Sequence, residues 1–239
     1  MKRVVILSAI FLLNLNAIAQ KPAKTTKPPV LKNLLDSFSY AAGYNVATNM
    51  KQQDIDKMNM AVYKQAMEDV FNNKKPLLTQ EQISMSLQFQ LAAFKKEKLE
   101  KEKAKGAAFL TENKKRKNVI VLPNGLQYQI IKSGEATAPM PKATVGAEDS
   151  VVVNYIGTYI DGVEFDNSYK KGNAATFKIT NVIKGWTQIL QLMHVGDKWN
   201  VYISSDLAYG DEGKNGKFQG STLVFEISLE GVKPFVPKQ

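Results

Sequence analysis

The spacing of apolar residues changes once along this chain, near Val119, and this change limits the possible folds more than any other feature. Before Val119, apolar residues recur every three or four positions, which predicts amphipathic helices. After it, apolar and polar residues alternate, and Asn-Gly and Asp-Gly pairs supply tight turns, which predicts antiparallel strands. We therefore predict an α+β protein, with a helical domain over residues 31–118 and a sheet domain over residues 119–239.

Three helices are predicted in the first domain, over residues 31–50, 56–71 and 80–117. Thr79 and Gln82 have the spacing of a capping box, which marks the start of the third helix. The apolar face of its first half needs a partner, so we expect a homodimer through the N-terminal helices. Its second half alternates lysine and glutamate, which favours a solvated spacer; a nucleic-acid-binding run is the alternative, and the mixed charge argues against it. One short helix, near residues 186–192, interrupts the strands of the second domain.

The first 19 residues have the pattern of a secretory signal peptide. Lys2 and Arg3 precede an apolar run from Val4 to Leu15. Ala17 and Ala19 then give the small-x-small pattern of a signal-peptidase cleavage site. A run of about 12 residues spans roughly 18 Å as a helix, too short for a hydrocarbon core of roughly 30 Å. We expect cleavage after Ala19, a proline- and lysine-rich linker over residues 20–30, and a periplasmic mature chain that does not insert into a membrane.

Composition excludes several kinds of chemistry. The chain has no cysteine and one histidine, His194, so thiol catalysis, iron–sulfur clusters and multi-histidine metal sites are ruled out, and we expect no cofactor and no metal.

The net charge of +10 lies in the helical half, since residues 20–118 hold 19 bases and 10 acids, whereas residues 119–239 hold 11 bases and 12 acids. A basic surface is therefore not expected to drive the second domain, and no nucleic-acid partner is predicted.

Aromatic residues beside one acid mark the second domain, and alone they are compatible with an ordinary hydrophobic core. They fall within four strings in one order: Val151–Tyr169, Val182–Trp199, Asp206–Gly210 and Ser221–Leu229. In this order the strings resemble the FKBP family of peptidyl-prolyl cis–trans isomerases, over roughly residues 125–233. The helical segment, which contains Ser39–Tyr44, is similar to the dimerising N-terminal domain of the periplasmic and macrophage-infectivity-potentiator-type members.

The resemblance implies a curved antiparallel sheet around a short helix, with the active cleft between them. It implies that Trp186 forms the floor under a proline ring, that Asp166 and Tyr209 are the catalytic polar groups, and that the Ile183 N–H donates to a substrate carbonyl. The substrate-binding residues it implies are Tyr155, Phe165, Val182, Ile183, Trp186, Phe218 and Phe225.

The loop after Tyr209 departs from the family pattern. Members of the family have an Ile-Pro-Pro before the last strand, whereas this chain has Phe218–Gly220 there and Lys214 near a position that is often histidine. We therefore predict that Phe218 replaces the missing isoleucine as an apolar lid residue.

The implied activity is rotation about X-Pro bonds of exported proteins during folding. The expected partners are unfolded or partly folded proline-containing proteins, a second copy of the chain and a macrolide ligand. The alternative is a dimeric holdase-type chaperone or binding scaffold with weak or no isomerase activity.

Overall fold

The computed structural model describes residues 30–134 and 149–235. The predicted leader, residues 1–19, and nearly all of the predicted linker lie outside these ranges, as do residues 135–148. The helices are α1 (Leu34–Gln52), α2 (Met60–Phe71), α3 (Gln80–Asn113) and α4 (Lys184–Leu190). The strands are β1 (Ile120–Val121), β2 (Gln127–Lys132), β3 (Ser150–Tyr159), β4 (Glu164–Asn167), β5 (Ala175–Lys178), β6 (Lys198–Ile203) and β7 (Leu223–Lys233).

Local signals in the sequence set the ends of several elements. Thr79 and Gln82 form the predicted capping box at the start of α3, with each side chain bonded to the other residue's backbone N–H. Asn59 caps α2 through its side chain, so this helix begins later than predicted. Gly162, with a φ of +86°, closes the tight turn between β3 and β4.

The seven strands form one antiparallel sheet in the order β1-β2-β6-β7-β3-β4. The strand β3 pairs with β7 along one side; on the other side its first residues pair with β5 and its last residues with β4. Side chains from the sheet and from α4 form the core, and those that are completely buried are Leu126, Val151, Val153, Ile189, Leu190, Met193, Val201, Ile203, Leu223, Ile227 and Leu229. The α+β prediction is confirmed, with the short helix α4 packed against the sheet.

The prediction that the second half of α3 is a solvated spacer is wrong for its last turns. Gly106 and Asn113 are buried there. The side-chain amide of Asn113 donates to Gln127 Oε1 at 2.9 Å, and Gln127 Nε2 donates to the carbonyl oxygen of Leu110, also at 2.9 Å. These contacts rely on a glycine and on amide side chains, so no apolar stripe in the sequence reveals them. The predicted ion pairs do form, as between Lys101 and Glu97.

The described part of the chain divides into two compact units, with the boundary between residues 49 and 50. The domain boundary predicted at residue 118 stays a prediction. In the first unit, α1 buries no residue, and Leu34, Leu35 and Phe38 are among its exposed apolar side chains. None of the helices in the described part of the chain has both the length and the apolar character needed to cross a membrane.

Candidate functional site

A cavity of about 390 Å³ opens between α4 and the sheet. Its walls come from β3, β4, β5 and β7, from the segment that leads into α4, and from the loop that follows β6. The lining residues are Tyr155, Phe165, Asp166, Phe177, Asn181, Val182, Ile183, Trp186, Tyr209, Lys214 and Phe225. This volume lies in the range of small-molecule sites, and most of the lining is aromatic or aliphatic.

Trp186 lies at the centre of this lining and is only 4% exposed. Three rings meet its indole edge on: those of Tyr155 and Phe225 with centroids 5.2 Å away, and that of Phe177 at 5.8 Å. Edge-to-face pairs are favourable because the positive edge of one ring faces the negative face of the other. The indole therefore has one fixed orientation.

The position of Trp186 depends on its neighbour in α4. A Cβ at Gly185 would be 2.6 Å from Cγ2 of Ile203, so only glycine allows this turn of α4 to lie against β6. Ile183 caps the helix and makes no side-chain capping bond. The first backbone N–H groups of a helix have no partner within it, so this end of α4 offers donors.

The carboxylate of Asp166 accepts hydrogen bonds from three donors. The Tyr155 hydroxyl donates to Oδ2 at 2.6 Å, the Asn167 N–H donates to Oδ1 at 2.9 Å, and the Lys171 ammonium also bonds to Oδ1. Burial by itself would raise the pKa of Asp166, but these bonds, with Lys171 first, outweigh it and lower the pKa below its usual range. Asp166 is therefore a fixed anion at neutral pH.

Tyr209 supplies a second polar group. Burial, and then the charge of Asp166, raise the pKa of Tyr209 above its ordinary value, so its hydroxyl keeps its proton at neutral pH. Burial, the hydrogen bond to Asp166 and the charge of Asp166 also raise the pKa of Tyr155. The Nζ of Lys214 lies 5.6 Å from the centre of the Tyr209 ring, a cation–π contact at the mouth of the cavity.

The structure brings eight of the nine predicted site residues around this one cavity: Tyr155, Phe165, Asp166, Val182, Ile183, Trp186, Tyr209 and Phe225. The ninth, Phe218, is not among the lining residues in the described part of the chain, and its role as a lid residue stays a prediction. Its ring packs against aromatic residues of the wall and their neighbour, 4.9 Å from Phe165, 5.0 Å from Tyr209 and 5.7 Å from Tyr159, centroid to centroid.

Sequence reasoning did not place Phe177, Asn181 and Lys214 in the site, nor Lys171 beside it. Lys171 reaches Asp166 because a 3₁₀ turn, Tyr169–Lys171, folds the chain back after β4. Gly172, with a φ of +79°, ends this turn and is the one signal in the sequence that points to it.

Comparison with known proteins gives a consistent result. Residues 142–230 match the family model described as FKBP-type peptidyl-prolyl cis-trans isomerase, and residues 35–130 match the domain amino terminal to it. The chain is similar to the outer membrane protein MIP of Legionella longbeachae, with 42% identity over 83% of this chain and 85% of the relative. It is also similar to the peptidyl-prolyl cis-trans isomerase Mip of Coxiella burnetii, with 33% identity over 98% of this chain and 99% of the relative.

A solved structure agrees with these relatives. The crystal structure of FkpA from Escherichia coli is 34% identical, with a TM-score of 0.65, and the match covers 86% of this chain and 99% of that one.

Replacing Lys171 by methionine removes the first of the bonds that lower the pKa of Asp166, so we expect this pKa to rise. A group with a depressed pKa stabilises the fold above its unfolded-state pKa and loses that contribution as pH falls through its folded-state value. In Lys171→Met, the contribution of Asp166 to the free energy of unfolding should therefore be lost at a higher pH. A carboxyl ¹³C titration measures the pKa. Lys170→Met is the control, because Lys170 pairs with Glu164 instead; equal titration of Asp166 in both variants would contradict the assignment.

Proposed function

This chain belongs to the family of FKBP-type peptidyl-prolyl cis–trans isomerases, and we propose that it catalyses their reaction in the cavity floored by Trp186. The protein is an isomerase of X-Pro bonds that acts in protein folding. One observation supports this site above the others: eight residues assigned from sequence to a proline pocket line a single cavity of suitable size.

The reaction needs no covalent step. Rotation about an X-Pro bond crosses a barrier of roughly 20 kcal/mol because it removes amide resonance. The twisted amide is less dipolar than the planar one, so a dry apolar cavity favours the twisted state over water. Each 1.4 kcal/mol of this preference gives about a tenfold increase in rate.

We assign the roles as follows. The proline ring rests on Trp186, between the rings of Tyr155, Phe165 and Phe225. The Ile183 N–H donates to the carbonyl oxygen of the substrate, which fixes the peptide while the amide turns. Ile183 stands at the N-terminus of α4, where no side chain makes a capping bond.

The polar pair acts on the amide itself. Asp166 is a fixed anion, and Tyr209 keeps its proton, so the site presents one acceptor charge and one hydroxyl donor at neutral pH. The described residues supply no hydrogen-bond partner to the Tyr209 hydroxyl, which leaves it free to donate to the twisting amide. A macrolide that fills the same cavity would compete with the peptide.

Replacing Trp186 by leucine should lower kcat/KM for a proline peptide by about tenfold or more, because the flat floor is lost while the site stays apolar. A protease-free isomerisation assay measures this. The matched control is Trp199→Leu: Trp199 is equally buried but stacks on Tyr128, with centroids 4.6 Å apart, and does not line the cavity. Near-ultraviolet circular dichroism confirms that both variants are folded. Loss of activity to the same degree in both would refute the site.

We further propose that the mature chain is exported and works as a homodimer on unfolded proteins. The apolar leader supports export, and the match of residues 35–130 to the amino-terminal domain supports a shared role for these helices. Neither α1 nor α2 buries a residue, and the apolar side chains of α1 are exposed, Leu34 by 86% and Phe38 by 69%. Two linked cavities would hold one client at two points and raise its effective concentration.

Sedimentation equilibrium tests the dimer. We expect the mature chain to sediment at twice its monomer mass and Phe38→Glu to sediment as a monomer, since a charge on the apolar face would be buried in the dimer. Ser37→Glu adds the same charge at the adjacent position, off the apolar stripe of α1, and should stay dimeric. A monomeric unaltered chain at micromolar concentration would contradict the proposal.

A further inference from the structure

The last turns of α3 lie against the loop that also forms one wall of the cavity. This loop, residues 210–222, leads from the 3₁₀ turn after β6 into β7. Near its start, Asp211 Oδ1 accepts a hydrogen bond from Lys103 Nζ at 2.9 Å. At its end, the buried Gly220 lies so close to α3 that a Cβ there would be 2.7 Å from Cδ1 of Leu99.

Gly106 gives a second close approach between helix and loop. It is buried, and a Cβ at this position would overlap the Thr222 side chain, only 2.9 Å from its Cβ. Leu99, Lys103 and Gly106 are four and three residues apart, so they lie on one face of α3. This face therefore contacts the loop near both of its ends.

The opposite side of the loop belongs to the cavity. Lys214 lines it directly, and Phe218 stacks on Tyr209 and meets Phe165 edge on. Phe218 has a φ of +66°, in the left-handed region that residues other than glycine seldom adopt. Such a conformation persists only where the surroundings hold it, and here the surroundings are the aromatic wall and the loop anchored on α3.

The close contacts at Gly106 and Gly220 contribute more to the packing of the loop on α3 than the ion pair does. The side chains of Lys103 and Asp211 are 36% and 49% exposed, and exposed pairs contribute little to stability. The two glycines instead allow close contacts that a Cβ would crowd, 2.2 Å from Oγ1 of Thr222 at Gly106 and 3.2 Å from the carbonyl oxygen of Leu99 at Gly220.

We propose that the face of α3 formed by Leu99, Lys103 and Gly106 positions the 210–222 loop and, through Phe218, the Tyr209 side of the cavity. These are positioning residues, since none of them lines the cavity. The proposal rests on the proposed function, because it takes this cavity as the place of isomerisation. It makes the connecting helix a determinant of the site as well as a link to the N-terminal helices.

The test compares Gly106→Leu with Ala107→Leu in the mature chain. Leucine favours helix more than glycine does, so the first variant keeps α3, but its side chain does not fit beside Thr222 and pushes this face of α3 away from the loop. Ala107 is the exposed neighbour, and the same side chain there should change nothing. We expect trypsin to cleave after Lys214 and Lys217 about tenfold faster in Gly106→Leu, and kcat/KM for a proline peptide to fall about fivefold.

A tyrosine titration separates positioning from general loss of stability. If the loop loosens, Tyr209 becomes more exposed and its pKa falls toward its ordinary value, whereas the pKa of Tyr155 stays raised. Gly106→Ala, which adds the smallest side chain, should show the same changes to a smaller degree and serves if the leucine variant does not fold.

Unchanged loop cleavage in Gly106→Leu would overturn the proposal. Faster cleavage with unchanged kcat/KM and unchanged Tyr209 titration would overturn it as well, because the helix would then hold the loop without positioning the site. The trypsin cleavage of the loop and the titration of Tyr209 are measured without turnover. They therefore still test whether α3 positions the loop if the unaltered chain proves inactive. That inactivity would count against the proposed function alone.

Discussion

The fixed orientation of the Trp186 indole is the constraint on which the proposed mechanism depends. Tyr155, Phe177 and Phe225 meet it edge on, and each such pair contributes about 0.5–1.5 kcal/mol beyond the burial of its area. A floor that is rigid before the substrate arrives needs no reorganisation during the reaction. This matters because the chemistry has no nucleophile, and its rate depends on how well the cavity fits the twisted amide.

Tyr155 joins the apolar and polar parts of the site. Its ring packs against Trp186, and its hydroxyl donates to Asp166 at 2.6 Å. The acid is therefore held in a fixed position relative to the floor, and Lys171 keeps it ionised from outside the cavity. Tyr209 lies next to a loop that contacts α3. The two polar groups are thus supported by different parts of the chain.

The sequence predicted the sheet and the short helix because these follow from strong local patterns, whereas the cavity residues were implied by the resemblance to a known family. Alternation over residues 151–159 and the capping box at Thr79 are both present in the structure. The resemblance to a known family brought Asp166 and Trp186 together from separate elements. The docking of α3 was missed because Gly106 contacts the loop by lacking a side chain.

The lid role of Phe218 stays a prediction, because the features that bear on it are not local. Its ring packs against Phe165 and Tyr209, and its left-handed backbone conformation has no glycine to mark it in the sequence. No local pattern encodes either fact.

The most direct test is an exchange NMR experiment on a short X-Pro peptide with a catalytic amount of the mature chain. The account predicts cis–trans exchange cross-peaks, together with nuclear Overhauser effects between the proline ring protons and the Trp186 indole. Exchange without contacts to this indole, or contacts without exchange, would contradict the claim that the floor of this cavity is where the amide turns.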